Sequence, residues 1–393
     1  MDGSQTPVAA TATADADGAP AVPPRRGRAS WAVRASVVPW IVARLAVAAA
    51  LAVARQLSTG DHLSSAAASR ARQGLLGWDA GWYESIARHG YGGAGHSSLR
   101  FFPLYPFLAR GLSVLPGVGV GAAVVVVANV CALAGTAVLV GLVRWETGDE
   151  NLARRAAWLV CLAPAAFTFV MGYAEGTLLV LAAGTFFALR TRHWWWATGL
   201  GVAAGLTRPI GALLLVPAAV EAVRGWRSSP ARQRPGLLAA VAGPAVGTGA
   251  FLVYVGWRYG GALTPLRLQE EGGHHGLADP FVTLAHDASY LAHGHHLGEG
   301  LHLPWVVLAV ALVVVVFRRW PASYGAFAVA VLAVALTGSN LDSFERYALS
   351  AFPLVLAGAS LTSSERVLRV VLVLSAVGLV GYAVLAFGNL YVP

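Results

Sequence analysis

The chain has 393 residues, of which 56% are apolar and only 12% charged, with a net charge of +9. A soluble domain carries about a quarter charged residues, so one large water-soluble core is excluded and an all-α polytopic membrane protein is expected. The 28 basic residues are all Arg, and no soluble basic segment is interleaved with aromatics. The basic excess is therefore read as loop charge that orients helices, not as a nucleic-acid surface. Cys131 and Cys161 lie inside apolar runs, which excludes a disulfide framework.

Residues 1–34 are rich in Ala, Thr, Asp and Pro and then basic at Arg25, Arg26, Arg28 and Arg34. They cannot bury a core and are expected to be a disordered cytoplasmic tail. The apolar run that follows contains Arg44 and has no small-residue cleavage site, which predicts an uncleaved first helix. From there, residues 35–393 form one transmembrane domain. Eleven candidate spans follow, at 36–54, 118–143, 156–172, 175–190, 194–207, 209–223, 236–257, 303–317, 322–338, 348–362 and 367–390. With the N-terminus inside, the short basic loops 144–155, 191–193, 224–235, 318–321 and 363–366 face the cytoplasm. The outer segments are then 55–117, the turn near 173, the break at 207–209, and the loops 258–302 and 339–347. An odd number of spans leaves the C-terminus outside.

The least monotonous stretch is residues 77–107, inside the long first outer loop. Asp79 lies between Trp78 and Trp82. An aromatic frame raises a carboxylate's basicity and suits a general base, and Trp and Tyr stack on sugar rings. An interfacial helix with Asp79 as its N-cap fits the same residues. Glu84 is five residues on, more than one helical turn, and a surface position suits it better than a second acid role. Arg88, His89 and Arg100 can meet a phosphate or lipid headgroups. F-F-P-L-Y-P-F (101–107) predicts an extended or kinked entry into an interfacial helix.

Three further charged residues fall on the outer side although none was used to orient the chain. They are Glu175 in G-Y-A-E-G-T, Arg208 in G-L-T-R-P-I-G, and Arg346 in L-D-S-F-E-R-Y. Arg208 needs a partner, either Glu175 or a ligand phosphate. Asp342 and Glu345 are the nearest acids to Arg346 in sequence and offer local neutralisation. The loop 258–302 holds seven His, namely His274, His275, His286, His293, His295, His296 and His302. Their spacing matches no metal-ligand motif, nor do Asp279, Asp287 and Glu299 complete one. No metal or other cofactor is expected, and the loop reads as a polar cover over the site.

W-D-A-G-W-Y-E-S-I-A-R-H-G-Y (78–91), followed by F-F-P-L-Y-P, resembles the first-loop signature of the PIG-V-like mannosyltransferases, membrane enzymes of the GT-C fold. A-P-A-A-F-T-F-V-M-G-Y-A-E-G (163–176) resembles the second block of that family, with Gly176 where Ser is usual. G-L-T-R-P-I-G (205–211) and R-Y-A-L-S-A-F-P (346–353) resemble the third and fourth. The four blocks stand in family order, and the resemblance is to a bacterial member, in keeping with an Arg-only, Ala- and Gly-rich composition.

The resemblance implies transfer of a mannosyl unit, with inversion, from a polyprenyl-phosphate sugar to a hydroxyl of an extracytoplasmic glycan, lipid or protein. Asp79 is then the base, and Glu175, ahead of Glu84, is expected as a second catalytic acid. Substrate contacts are expected from Trp78, Trp82, Tyr83, Glu84, Arg100 and Tyr105 of the first loop, and from Tyr173, Arg208 and Arg346. The competing readings are a transporter or flippase of lipid-linked sugars, a silent subunit that keeps the fold, and a related enzyme using arabinose, glucose or galactose.

Overall fold

The computed structural model describes residues 28–58, 65–271, 278–293 and 302–392. Among them the regular structure is helical throughout. The first helix, α1 (Arg28–Ser58), begins inside the stretch expected to be tail. Its first turns contain no breaker, Ala32 is buried, and Trp31 lies against Arg144 and Arg154 at 4.5 and 5.7 Å. Those contacts extend the helix back to Arg28; residues 1–27 lie outside the described residues.

The long loop after α1 folds into three short helices, α2 (Ser65–Gln73), α3 (Asp79–Gly93) and α4 (Leu104–Leu112). Pro103 stands at the N-terminus of α4 after an extended Phe101, as the F-F-P-L-Y-P pattern predicts. The body of the bundle is α5 (Val120–Thr147), α6 (Glu150–Leu162), α7 (Glu175–Arg190), α8 (Trp194–Gly205), α9 (Leu215–Trp226) and α10 (Arg234–Tyr259). Two short helices, α11 (Thr264–Glu271) and α12 (Pro280–His293), belong to the second long loop. The bundle closes with α13 (Leu303–Arg319), α14 (Ala322–Leu336), α15 (Phe344–Ser350), α16 (Pro353–Leu361) and α17 (Glu365–Phe387).

Among the described residues five stretches are long and apolar enough to cross a bilayer: Ala29–Ser58, Val120–Thr147, Pro209–Trp226, Ala231–Tyr259 and Glu365–Phe387. The other expected spans are shorter helices, and two are broken where the sequence reading had them continuous. The span at 156–172 stops as a helix at Leu162, because Pro164 disfavours helix at its predecessor, and continues as a 3₁₀ turn over Pro164–Phe169. Irregular backbone at membrane depth needs partners from the protein. The Phe169 carbonyl accepts from Arg44 at 3.1 Å, and that of Val170 from Asn129 at 2.9 Å. Arg44 also donates to the Asn129 side chain at 2.8 Å, so this intramembrane cation fixes the break that delivers Tyr173 and Glu175. The span at 348–362 is divided at Ser350–Pro353, with Pro353 opening α16.

Close helix contacts rest on small residues, as membrane bundles require. Gly201 and Gly205 of α8 lie against Pro244 and Thr248 of α10, and Gly243 and Gly247 of α10 lie against Thr198 and Val202 of α8. A Cβ at Gly243 would stand 2.7 Å from the Thr198 carbonyl oxygen, and one at Gly205 would collide with that of Pro244. Gly205→Val is expected to destabilise the bundle by about 1–3 kcal/mol through overpacking, read as a lower melting temperature in detergent. A melting temperature equal to wild type would refute the tight contact. The Gly176 departure from the usual Ser has the same cause, since a Cβ there would lie 2.6 Å from the Ala128 carbonyl oxygen of α5.

The two ends of the bundle differ. At one end Arg190 bonds Glu146 at 2.7 Å and Glu221 at 3.1 Å, with Ser323 and Tyr324 donating to the two carboxylates. This buried knot ties α5, α7, α9 and α14. The candidate site lies at the opposite end.

Candidate active site

Two main-chain bonds stitch the motif blocks together. The Gly172 N–H donates to the Leu75 carbonyl at 2.9 Å, and the Leu104 N–H to that of Leu206 at 3.0 Å. The first loop is thereby fastened to the second and third blocks. The residue before α3 is clamped as well. Trp78 holds φ 58° and ψ −131°, a conformation that costs a non-glycine residue about 1–3 kcal/mol. Its indole N–H donates to the Ala386 carbonyl at 2.9 Å, and the Arg70 guanidinium lies 3.9 Å from its ring centre. This turn aims Asp79, the first residue of α3, toward the bundle. Trp78, and not Asp79, occupies the N-cap, and no side-chain cap bond is made there. The capping reading of Asp79 is thus excluded.

Asp79 accepts from Arg346 Nη1 at 2.7 Å across 267 residues of sequence. Arg346 Nε stands 3.5 Å from Glu175, which also pairs with Arg208. Two carboxylates and two guanidinium groups therefore alternate, Asp79–Arg346–Glu175–Arg208. Each of the last three side chains is about a tenth exposed or less, whereas Asp79 is 27% exposed. Removing one member of such a buried set costs more than the pair itself contributes, because its partner is left desolvated and alone. Burial works against the Arg346 charge, yet Asp79, Tyr173 and Tyr347 hold its pKa above the ordinary value.

The quartet opens into a cavity of about 340 Å³. Asp79, Tyr83, Arg100, Arg208, Arg346 and Tyr347 line its polar part. Arg100 lies over Phe101 at 4.9 Å and Trp82 at 5.8 Å, and its buried Nε makes no hydrogen bond among the described residues. Burial pushes the Tyr83 phenol up to about 12, so it stays protonated at neutral pH. Three guanidinium groups beside the partly exposed Asp79, with Glu270 and Asp342 farther along the same lining, suit an anionic group beside a proton acceptor.

The remaining expected residues divide by geometry. Glu175, expected as a second catalytic acid, is absent from the cavity lining and sits behind the two arginines, paired with both. Tyr173 is buried too; its hydroxyl accepts from the Asp79 N–H at 3.3 Å and its ring lies 5.6 Å from Arg346, so it positions both. Tyr105 does not line the cavity, contrary to expectation. It is fully buried and donates to the Val124 carbonyl at 2.8 Å, a packing role. Glu84 pairs with Arg88 at 2.7 Å at the surface, and Trp78 and Trp82 line a separate groove with it.

The local neutralisation of Arg346 is also corrected. Glu345, next in the chain, points about 100° round the helix and is taken by other partners. His302 Nδ1 lies 3.0 Å from it, and Tyr391 donates to it at 2.7 Å. Burial alone would lower the His302 pKa, but Glu345 and the nearby Asp287 and Asp342 raise it overall. Of the other loop histidines, His286 and His293 lie on α12, while His274, His275, His295 and His296 fall outside the described residues. The loop does cover the site in its described part, since Leu266, Gln269 and Glu270 of α11 line the cavity. Sequence reasoning missed these, along with Asp342, Ser343 and Tyr347. Only Tyr347 had a signal, as the second residue of the fourth block.

A carboxylate and several guanidinium groups thus meet at one end of the helical bundle. The family described as Mannosyltransferase (PIG-V) matches residues 38–212, which carry Asp79, Glu175 and Arg208. The match covers less than half of the chain; it makes the protein similar to the PIG-V mannosyltransferases and supports a membrane glycosyltransferase that transfers mannosyl units. Arg346 lies beyond the matched residues and joins the site through its contacts. No curated protein matches the chain.

Proposed function

We propose that the enzyme takes mannose from a polyprenyl-phosphate donor and transfers it, with inversion, to a hydroxyl on the extracytoplasmic side, within a GT-C-like architecture. The observation that carries this reading is the meeting of Asp79 and Arg346 at 2.7 Å on the wall of a cavity that also holds Arg100 and Arg208. The acceptor hydroxyl attacks the anomeric carbon as Asp79 takes its proton. The new bond is acceptor oxygen to C1. The bond from C1 to the phosphate oxygen breaks, and its electron pair leaves with polyprenyl phosphate. Arg208, Arg346 and Arg100 face the phosphate as its charge grows. Attack from the face opposite the leaving group inverts C1.

The outer location is supported by the charge distribution. The short Arg-bearing loops adjoin the Glu146–Arg190–Glu221 end, and the site lies at the other. A lipid-anchored donor also suits a site at headgroup level, and no cofactor is needed for the displacement as written.

The test is purified protein given polyprenyl-phosphate-mannose and envelope extract as acceptor. Release of free polyprenyl phosphate coupled to mannosylated product is expected, with the anomeric configuration read by NMR. A protein that never releases polyprenyl phosphate would favour transport of the lipid-linked sugar. Arg208→Ala is expected to raise the donor KM about 10- to 100-fold, the loss of one charge-assisted hydrogen bond. An unchanged donor KM would leave Arg208 as only the partner of Glu175.

A further inference from the structure

Helix α3 has two lined faces. Asp79 and Tyr83 look into the cavity of the quartet. Trp78, Gly81, Trp82 and Ser85, spaced as neighbours on a helix surface, line a second and more open space of about 610 Å³, walled on its far side by Arg70 and Gln73 of α2. One aromatic stack divides the two. Trp82 lines the groove, Phe101 lines the cavity, and their rings lie 6.0 Å apart at 19°.

The chemistry of the groove differs from that of the cavity. The one cation of its lining, Arg70, lies over the Trp78 ring, donates to Gln73 at 3.0 Å and contacts the Asn389 side-chain oxygen at 3.4 Å. Glu84 sets a carboxylate on the same wall. With one arginine and one carboxylate, the lining carries no net charge, unlike an anion cradle of several arginines. Two indole rings among Gln, Ser, Glu and Arg side chains match a neutral polyhydroxyl chain, which stacks its apolar faces and shares its hydroxyls.

Given the reading of Asp79 as base, we propose that this groove is the acceptor site and that the acceptor is a neutral glycan. Its chain lies along Trp78 and Trp82 and carries the reacting hydroxyl past the Trp82–Phe101 stack to Asp79. The groove holds the part of the acceptor that does not react, and the cavity holds the donor phosphate.

Gly81 offers the test. It is exposed, and a Cβ there meets only the Leu76 carbonyl oxygen, at 3.4 Å, so a larger side chain is tolerated by the helix and fills the groove. Gly81→Leu in the full-length protein is returned to a strain lacking it, and the mannosylated envelope species are identified and quantified by mass spectrometry. Binding of polyprenyl-phosphate-mannose to the purified variant is measured in parallel. Mannosylation is expected to fall about tenfold or more, the value of roughly one stacked or hydrogen-bonded sugar contact, with a far smaller change in donor binding. Gln73→Ala, at an exposed position, is expected to lower mannosylation in the same direction. Wild-type mannosylation by Gly81→Leu overturns the proposal, and so does an equal loss of donor binding, which would give the groove to the donor. A mannosylated species without a glycan core overturns the acceptor class. If the wild-type protein itself fails to bind the donor, the donor assignment fails, while the cellular readout still decides the groove.

Discussion

Asp79→Asn is expected to lower mannosyl transfer by about 10²- to 10⁴-fold, the usual contribution of a positioned general base. The substitution keeps the shape and still offers Arg346 an oxygen in place of the carboxylate that now accepts at 2.7 Å. Arg346 also retains Glu175 at 3.5 Å, so the variant should fold and bind donor. The measurement is kcat at saturating donor, with melting temperature and donor affinity determined on the same preparation. Turnover within tenfold of wild type would remove Asp79 from the role of base.

Arg346→Ala is expected to act on stability and activity together. Its side chain is 8% exposed and stands between Asp79 and Glu175. Deleting it leaves two carboxylates with one cation, Arg208, and breaking a buried pair in this way costs about 3–5 kcal/mol. On the proposed function donor use should also fall, because the cavity loses one of the three arginines assigned to the phosphate. Arg346→Lys keeps a charge but cannot fork between two carboxylates, and should recover folding before it recovers kcat/KM. An Arg346→Ala protein with unchanged melting temperature and near-normal kcat/KM would mean that the quartet is neither structural nor catalytic.

Much of this arrangement was legible in the sequence, and the reasons for the rest are physical. Hydropathy exposed the helical bundle because burial in lipid acts on whole segments. The charged residues of four separated blocks stood out because an ionisable group at membrane depth is expensive and therefore rare. Their pairing was not legible. Arg346 has two acids within four residues, but Glu345 turns away to His302 and Tyr391, and the true partner lies 267 residues earlier. Tyr105 and Tyr83 look alike in sequence, yet only Tyr83 lines the cavity; Tyr105 is fully buried, with its hydroxyl spent on a main-chain carbonyl. The break at Pro164 was missed because the carbonyls of Phe169 and Val170 beyond it are met by Arg44 and Asn129, residues far along the chain.

The near-neutral balance of the cavity has a consequence for ligand choice. Arg100, Arg208 and Arg346 are matched on its lining by Asp79, Glu270 and Asp342, with Glu175 behind them. The resting site therefore projects little field into the surrounding water, and free phosphate or nucleotides gain little by approaching it. A ligand must instead arrive already concentrated and oriented. A lipid tail does both, by confining the headgroup to a thin layer at the level of the cavity. On this view discrimination against soluble anions lies less in the arginines than in the tether, and an enzyme of this design stays vacant in phosphate-rich surroundings until the membrane presents its donor.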